Sequence, residues 1–236
     1  MNVIEGVVQR LNMNSLDLVP FWLTLKLSFW TTVILLLISI PLGYYLAYTK
    51  QRINAIIEAL VSLPLVLPPT VLGFYLLLTF NKHGFFGSLW YKLFERPLVF
   101  HFEGILIASV IYSLPMMVHP LTAGFKSVPR NLIEASWTLG KSKLETLFKV
   151  ILPNMKTSIL TGMVLSFAHT MGEFGVVLMV GGNIHGETRV VSIAIYDAVE
   201  AVDYPTAHVY ASILLLFSFL SLLFLYILNR RWSLLR

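Results

Sequence analysis

Apolar residues in this chain fall in long continuous runs separated by shorter polar ones. Five runs, roughly Phe21–Tyr48, Ile53–Phe80, Gly104–Phe125, Ile159–Val180 and Ala207–Leu228, reach the about 20 helical residues needed to cross ~30 Å of hydrocarbon. Continuous runs predict helices, since a β-barrel would show short alternating segments. A lone strand also leaves its backbone unsatisfied in lipid. The pattern therefore predicts an all-α polytopic membrane protein with five transmembrane helices. No fixed-period repeat or linker divides it, so residues 1–236 read as one membrane domain. The loops Asn81–Glu103 and Gly181–Tyr204 carry glycines and aromatics, and no regular structure is expected there.

The segment between the third and fourth runs, Lys126–Lys156, has a different period. Pro129 suits the first turn of a helix, and Gly140 suits a helix stop. Ser142 and Glu145 have the S-x-x-E spacing of a capping box. Leu144, Leu147, Phe148 and Ile151 then form one apolar stripe, and Pro153 is expected to end it. Two short helices with a glycine bend are predicted. Such an element can lie on lipid head groups, helped by Lys141, Lys143 and Lys149, or dock in a groove of a cytoplasmic partner. A DNA-binding helix-turn-helix is a poor third, because both ends are tethered to the bilayer.

Composition agrees with the runs. Hydrophobic residues make up 57% of the chain and charged ones 12%, with a mean hydropathy of +0.78, which excludes a soluble globular domain and a disordered chain. The absence of cysteine excludes disulfides, Cys metal sites and thiol catalysis. The N-terminus lacks the charged-then-apolar order of a signal peptide, so the first run is expected to be a retained span.

The net charge of +5 reads as topology rather than as a nucleic-acid surface. Lys50, Arg52, Lys126, Arg130, Lys141, Lys143, Lys149, Lys156, Arg230, Arg231 and Arg236 are 11 of the 17 basic residues, and they fall on one side. That side carries net +9 and the other −2, with Glu58 and Glu173 inside spans. The expected topology has the N-terminus outside and the C-terminus cytoplasmic. Phe21, Trp22, Phe29, Trp30, Trp90 and Tyr91 fit an outer aromatic belt.

Polar residues within spans are costly and mark candidate sites. Glu173 is flanked by Gly172 and Gly175, with His169 one turn earlier. It reads equally as a gate residue at a dimer axis or as a structural hydrogen-bonding group. Pro64, Pro68 and Pro69 interrupt the second span, either as a tolerated kink or as a bend opening a path. His119, Pro115 and Pro120 make the third span similar. Lys26 and Glu58 are expected to snorkel.

The run Glu134-Ala135-Ser136, then Gly140 after three residues, then Leu152-Pro153, resembles the EAA loop of binding-protein-dependent ABC transporter permeases. Ser136 stands at the second Ala position and Val150 at the Ile position. Leu63–Pro69, Gly172–Gly175 and Asn183–Arg189 resemble the molybdate permease branch, with His185 where Pro is expected.

The resemblance implies the MetI-like fold of ABC importer permeases. It implies a permease subunit that moves molybdate, or the related tungstate or sulfate, across the cytoplasmic (inner) membrane. Glu134, Ala135, Ser136, Leu139, Gly140, Leu152 and Pro153 would couple to an ATPase. Pro64, Pro68, Pro69, Thr170, Gly172, Glu173 and Gly175 would line the path or gate. The implied partners are a second copy of the chain, two cytoplasmic ATP-binding subunits, a periplasmic oxyanion-binding protein and membrane lipid. No nucleic acid is expected, and ATP and Mg would be bound by the partner ATPase. The rival reading is a proton-coupled secondary transporter using Glu173 and His169.

Catalysis within the chain is not expected. Ala135–Ser142 misses a phosphate-binding G-x-x-x-x-G-K-[ST] loop by its first glycine, and no strand is expected before it.

Overall fold

The structure is a computed structural model that describes residues 17–49 and 51–233. Glu5, Arg10, Lys50 and Arg236, which enter the charge reading, lie outside the described residues. Among the described residues all regular structure is helical. In chain order the helices are α1 (Val19–Tyr48), α2 (Ile53–Val66), α3 (Pro69–Phe80), α4 (Phe85–Phe94), α5 (Phe102–Ser127), α6 (Arg130–Thr138), α7 (Lys143–Asn154), α8 (Lys156–Met171), α9 (Gly175–Gly181), α10 (Val191–Glu200) and α11 (Tyr204–Ser233).

Three helices are long and apolar enough to cross a membrane by themselves: Val19–Tyr48, Phe102–Ser127 and Tyr204–Arg230. They contain the first, third and fifth expected spans. The second and fourth expected spans are each broken. Ile53–Phe80 is two helices, and the chain bends by 113° between them. Leu67, at φ −73° and ψ 136°, and Pro68, at φ −55° and ψ 137°, are both extended. A proline ring disfavours helical backbone in the residue before it, and two successive prolines remove two N–H donors. Ile159–Val180 starts earlier, at Lys156, stops at Met171 and resumes at Gly175. Among the described residues five spans are counted only if α2–α3 is one span and α7–α8 another.

Residues cluster into two compact units. The first holds Met1–Trp30, Pro68–Ser109 and Thr170–Leu220. Its core joins Leu23 and Leu27 to Ile105, Val177, Val190 and Ile193. A hydroxyl fixes the start of α10. Val190 precedes that helix and has no capping side chain, so the Val191 N–H donates instead to Thr24 Oγ1 at 2.9 Å. Phe21 stacks on Tyr210 at 5.4 Å, and the Tyr210 hydroxyl donates to the Asp17 carbonyl at 3.0 Å.

Two helices stand where no regular structure was expected. α4 presents exposed Phe85, Phe86, Leu89, Leu93 and Phe94, so its apolar residues leave no buried stripe to read. α10 lies within Gly181–Tyr204 and is set by the Thr24 contact, which is distant in sequence.

The second unit holds Thr31–Leu67, Val110–His169 and Ser221–Arg236. Its core is Leu35, Met117, Leu121, Phe125, Val128, Ile133, Ile151 and Met155. α5 ends at Ser127 because Pro129 follows. Pro129 has no N–H for the Phe125 carbonyl, and the Tyr48 hydroxyl donates to that oxygen at 2.9 Å. Glu58 pairs with Lys126 at 3.9 Å, so it is an ion-pair partner rather than a free snorkelling group. In the first unit, Lys26 places its ammonium 4.1 Å from the centroid of the Phe102 ring.

Candidate functional site

The two-helix loop is present as α6 and α7. Pro129 is the N-cap rather than the first helical residue. Gly140 has φ +76°, and an added Cβ would meet nothing within 4 Å. Left-handed backbone, not space, is what requires glycine there. Lys141 N–H closes the turn on the Ser136 carbonyl at 3.1 Å. The capping box is formed: Glu145 N–H donates to Ser142 Oγ at 3.2 Å, and Ser142 N–H to a Glu145 carboxylate oxygen at 3.4 Å.

Pro153 ends α7 to within one residue: the helix stops at Asn154, the chain bends by 75° before α8, and the turn before the proline, Leu147–Ile151, is a π-helix. Pro153 cannot donate to the Lys149 carbonyl and its ring crowds that oxygen, so the helix widens there. The apolar stripe is accordingly split. Ile151 is buried and Leu147 packs beside it, whereas Leu144 and Phe148 are 68% and 62% exposed.

The sequence-predicted coupling residues divide by role. Ser136 is buried, and its hydroxyl meets Thr146 Oγ1 at 2.9 Å, tying α6 to α7. Ile151 of the predicted stripe, together with Ile133, which sequence reading did not single out, anchors the pair in the core beside Leu121 and Phe125. Glu134, Ala135, Leu139, Gly140 and Pro153 are exposed, and Leu152 is half-buried. Leu132, Trp137, Leu139, Leu144 and Phe148 form an exposed apolar set, with Leu139 at 79%. Behind Glu134 lies a 240 Å³ cavity lined also by Tyr44, Tyr48, Arg130, Ile133 and Trp137. A capped, core-anchored helix pair with an open apolar face is suited to transmit force from a partner.

Loss of the cap should loosen that surface. Ser142→Ala is expected to cost the start of α7 about 1 kcal/mol, measurable as faster amide hydrogen exchange through Lys143–Thr146. Acid should act in the same direction. Hydrogen bonding to Lys149, then to the Ser142 backbone, holds the Glu145 carboxyl below its ordinary range. Its contribution is present above the ordinary carboxylate pKa and is lost as pH falls through the lowered one.

The path candidates come together only in part. Pro69 and Gly175 meet: a Cβ on Gly175 would lie 2.9 Å from Pro69 Cβ. Gly73 lies against Met179 and Val176, so α3 and α9 touch through glycine at two points. Pro64 is buried within α2, Thr170 is buried near the end of α8, and Gly172 is exposed.

Glu173 lies in the break between α8 and α9 and is 4% exposed. Ser192 Oγ donates to its carbonyl at 2.5 Å, satisfying a group that the helix no longer uses. Neither carboxylate oxygen has a hydrogen-bond partner among the described residues, and the neighbouring Ser109 hydroxyl stays outside hydrogen-bond geometry. His169 Nδ1 meets Ser113 Oγ at 2.9 Å, and its ring lies 4.8 Å from that of Tyr112.

The Asn183–Arg189 segment is a structural clasp. Glu187 accepts from the Phe102 N–H at the start of α5, and Thr188 Oγ1 donates to the Gly181 carbonyl at 2.7 Å. Asn183 and Arg189 both hold Asp197, at 2.7 and 3.0 Å. His185 meets Asp17 at 3.3 Å, so the departure from Pro there adds a contact. No group of three or more His, Cys, Asp or Glu residues suited to a metal ion exists among the described residues.

This architecture defines the class of protein: the fold is that of an ABC transporter chain. A chain of the bacterial alginate ABC transporter, solved with its alginate-bound periplasmic protein, superposes with a TM-score of 0.74 over 98% of this chain and 83% of that one, at 16% identity. Residues 39–234 match the binding-protein-dependent transport system inner membrane components, and the chain belongs to that family of multi-pass membrane proteins. It is 48% identical to the molybdenum transport system permease protein ModB of Azotobacter vinelandii, over 89% of this chain and 93% of that protein. It is 32% identical to a probable sulfate transport system permease protein of Chlorella vulgaris, over 86% of this chain and 76% of that protein.

Proposed function

We propose that this chain is the membrane-spanning permease subunit of an ATP-driven importer of molybdate. The observation that carries the reading is the end-to-end likeness to a molybdenum permease at 48% identity, joined to an exposed helix pair built for docking. Two copies would enclose the path, since one chain of this size supplies too few spans to do so alone. Two cytoplasmic ATP-binding subunits would seat on α6 and α7, and a periplasmic oxyanion-binding protein would deliver substrate. ATP-driven closure of the ATPase pair would move α6 and α7 and switch access of the path. All of this lies in the cytoplasmic membrane, with the N-terminus outside and the C-terminus cytoplasmic, as the basic residues favour.

The chain forms one membrane domain that carries substrate and leaves hydrolysis to its partner. Support for that division comes from Ala135–Ser142, which runs from the end of α6 through the Gly140 turn with no strand before it. It therefore lacks the strand–loop–helix cradle that phosphates require. ATP and Mg belong to the partner ATPase. The proton-relay alternative gains no support, because the Glu173 carboxylate enters no hydrogen-bonded chain among the described residues. A sulfate or tungstate permease is the nearer alternative, given the 32% likeness to a sulfate relative.

The test is reconstitution of the chain with its ATPase and binding protein in liposomes. Molybdate is expected to accumulate with ATP, and to outcompete equimolar sulfate. Uptake that requires neither ATP nor the permease would overturn the reading.

A further inference from the structure

The second unit holds an open cleft, lined by charged, polar and alanine side chains, that the coupling surface does not use. It has a volume of 440 Å³, within the range of about 300–1,000 Å³ usual for small-molecule sites. Its wall is one face of α2 and one face of α5. Glu58 and Ser62 are one turn apart on α2; His119, Thr122 and Lys126 follow one another on α5. Exposed Ala59 and Ala123 keep it wide.

Its chemistry is unusual for a span. Two charged groups, an imidazole and two hydroxyls on adjoining turns are too costly to face hydrocarbon, and such groups mark water-filled paths. Thr122 is 8% exposed, lines the cavity, and its hydroxyl has no hydrogen-bond partner among the described residues. Ser62 Oγ and His119 Nε2 are bonded to each other at 3.1 Å. Whichever tautomer the ring takes, one donor is left over. If the ring N–H donates to Ser62, the hydroxyl proton is free; if Ser62 donates, the other ring N–H is free. Lys126 is held by Glu58 at 3.9 Å, a loose contact with both side chains about half exposed.

We propose that this cleft between α2 and α5 is a weak way-station for a tetrahedral oxyanion on the cytoplasmic half of the path. The inference rests on the transport reading above and adds the residues that would hold the anion. The spare donor of the Ser62–His119 pair and the Lys126 ammonium would converge on different oxygens of the anion. Glu58 is its competitor: the anion takes the carboxylate's place on Lys126, and the carboxylate takes it back when the anion leaves. A permanently unpaired lysine would hold a dianion too tightly, whereas a paired one lets it bind and go.

The native chain contains no cysteine, which supplies a direct probe. The experiment takes the full complex carrying Ala123→Cys, with Ala59→Cys as a second reporter on the opposite wall. The modification rate of this chain by a membrane-impermeant thiol reagent is followed by mass spectrometry. The probe is sodium molybdate, against sodium chloride at equal ionic strength. Protection is expected to follow 1 + [L]/Kd, about tenfold slower labelling at ten times Kd. Lys126→Gln in the same background should shift protection to several-fold higher molybdate.

Equal rates with and without molybdate at both reporters would overturn the way-station, as would a cavity thiol that never reacts and is therefore closed to water. If uptake by the same complex is molybdate-dependent while protection is absent, the transport reading stands and only the site falls. If no oxyanion is taken up at all, the transport reading itself falls.

Discussion

Glu134→Arg is expected to abolish ATP-driven uptake while leaving the protein folded in the membrane. Glu134 is exposed on α6, at the rim of the cavity formed with Tyr44, Tyr48, Arg130, Ile133 and Trp137. It contributes nothing to the core, which takes Ile133 from the same helix. Reversing its charge therefore should not disturb folding. It does place a cation on the helix pair that exposes Leu132, Trp137, Leu139, Leu144 and Phe148.

Breaking one side of a desolvated charge contact typically costs about 2–5 kcal/mol, roughly 30-fold to several thousandfold in affinity. Co-purification of the ATPase with the variant should fall by at least that lower factor, with unchanged expression and unchanged thermal unfolding of the permease alone. Full retention of the ATPase would remove the docking role from this surface. Leu139→Asp should behave alike, because Leu139 is 79% exposed and held by nothing in the chain's own core.

Gly73→Leu is expected to destroy the fold of the first unit around α3 and α9. A Cβ on Gly73 would lie 2.8 Å from Met179 Cβ and 3.1 Å from the Val176 Cα. Neither atom is the free end of a flexible side chain, so neither can move without its helix. Even Gly73→Ala must push the helices apart and should cost about 1–3 kcal/mol, as overpacking does.

The leucine variant adds three more carbons to the same gap and should leave little detergent-stable protein. Fluorescence-detected size exclusion and thermal melting of the two variants would measure this. Gly186 is a useful contrast, because an added Cβ there meets nothing within 4 Å, and only its φ of +78° requires glycine. A Gly73→Ala variant as stable as the parent would mean that α3 and α9 do not pack as described.

Much of the α6–α7 loop is written in local sequence. The capping box at Ser142 and Glu145, the left-handed stop at Gly140 and the helix start after Pro129 depend on residues within a few positions of one another, so spacing alone finds them. Pro153 likewise marks the end of α7 at Asn154 and the 75° bend before α8; the π-helical turn ahead of it, with Ile151 held in the core, is what spacing did not show. The breaks in the second and fourth spans were half legible. Pro68 and Pro69 announce one, but the extent of the bend follows from how the flanking helices pack. The cavity between α2 and α5 was not legible as a site, since Ser62 and His119 lie 57 residues apart.

By itself the sequence determined the membrane class, the apolar runs, the charge bias and the helix signals of the loop. These depend on composition and on short-range sterics and hydrogen bonding, which act before any long-range contact forms. Tertiary structure decided which glycines are irreplaceable, where Thr24 and Tyr48 spend their hydroxyls, and that the Glu173 carboxylate is buried with no hydrogen-bond partner among the described residues. Those outcomes depend on pairs of atoms brought together from distant parts of the chain. No local pattern encodes them, because burial and hydrogen-bond satisfaction are properties of the packed molecule.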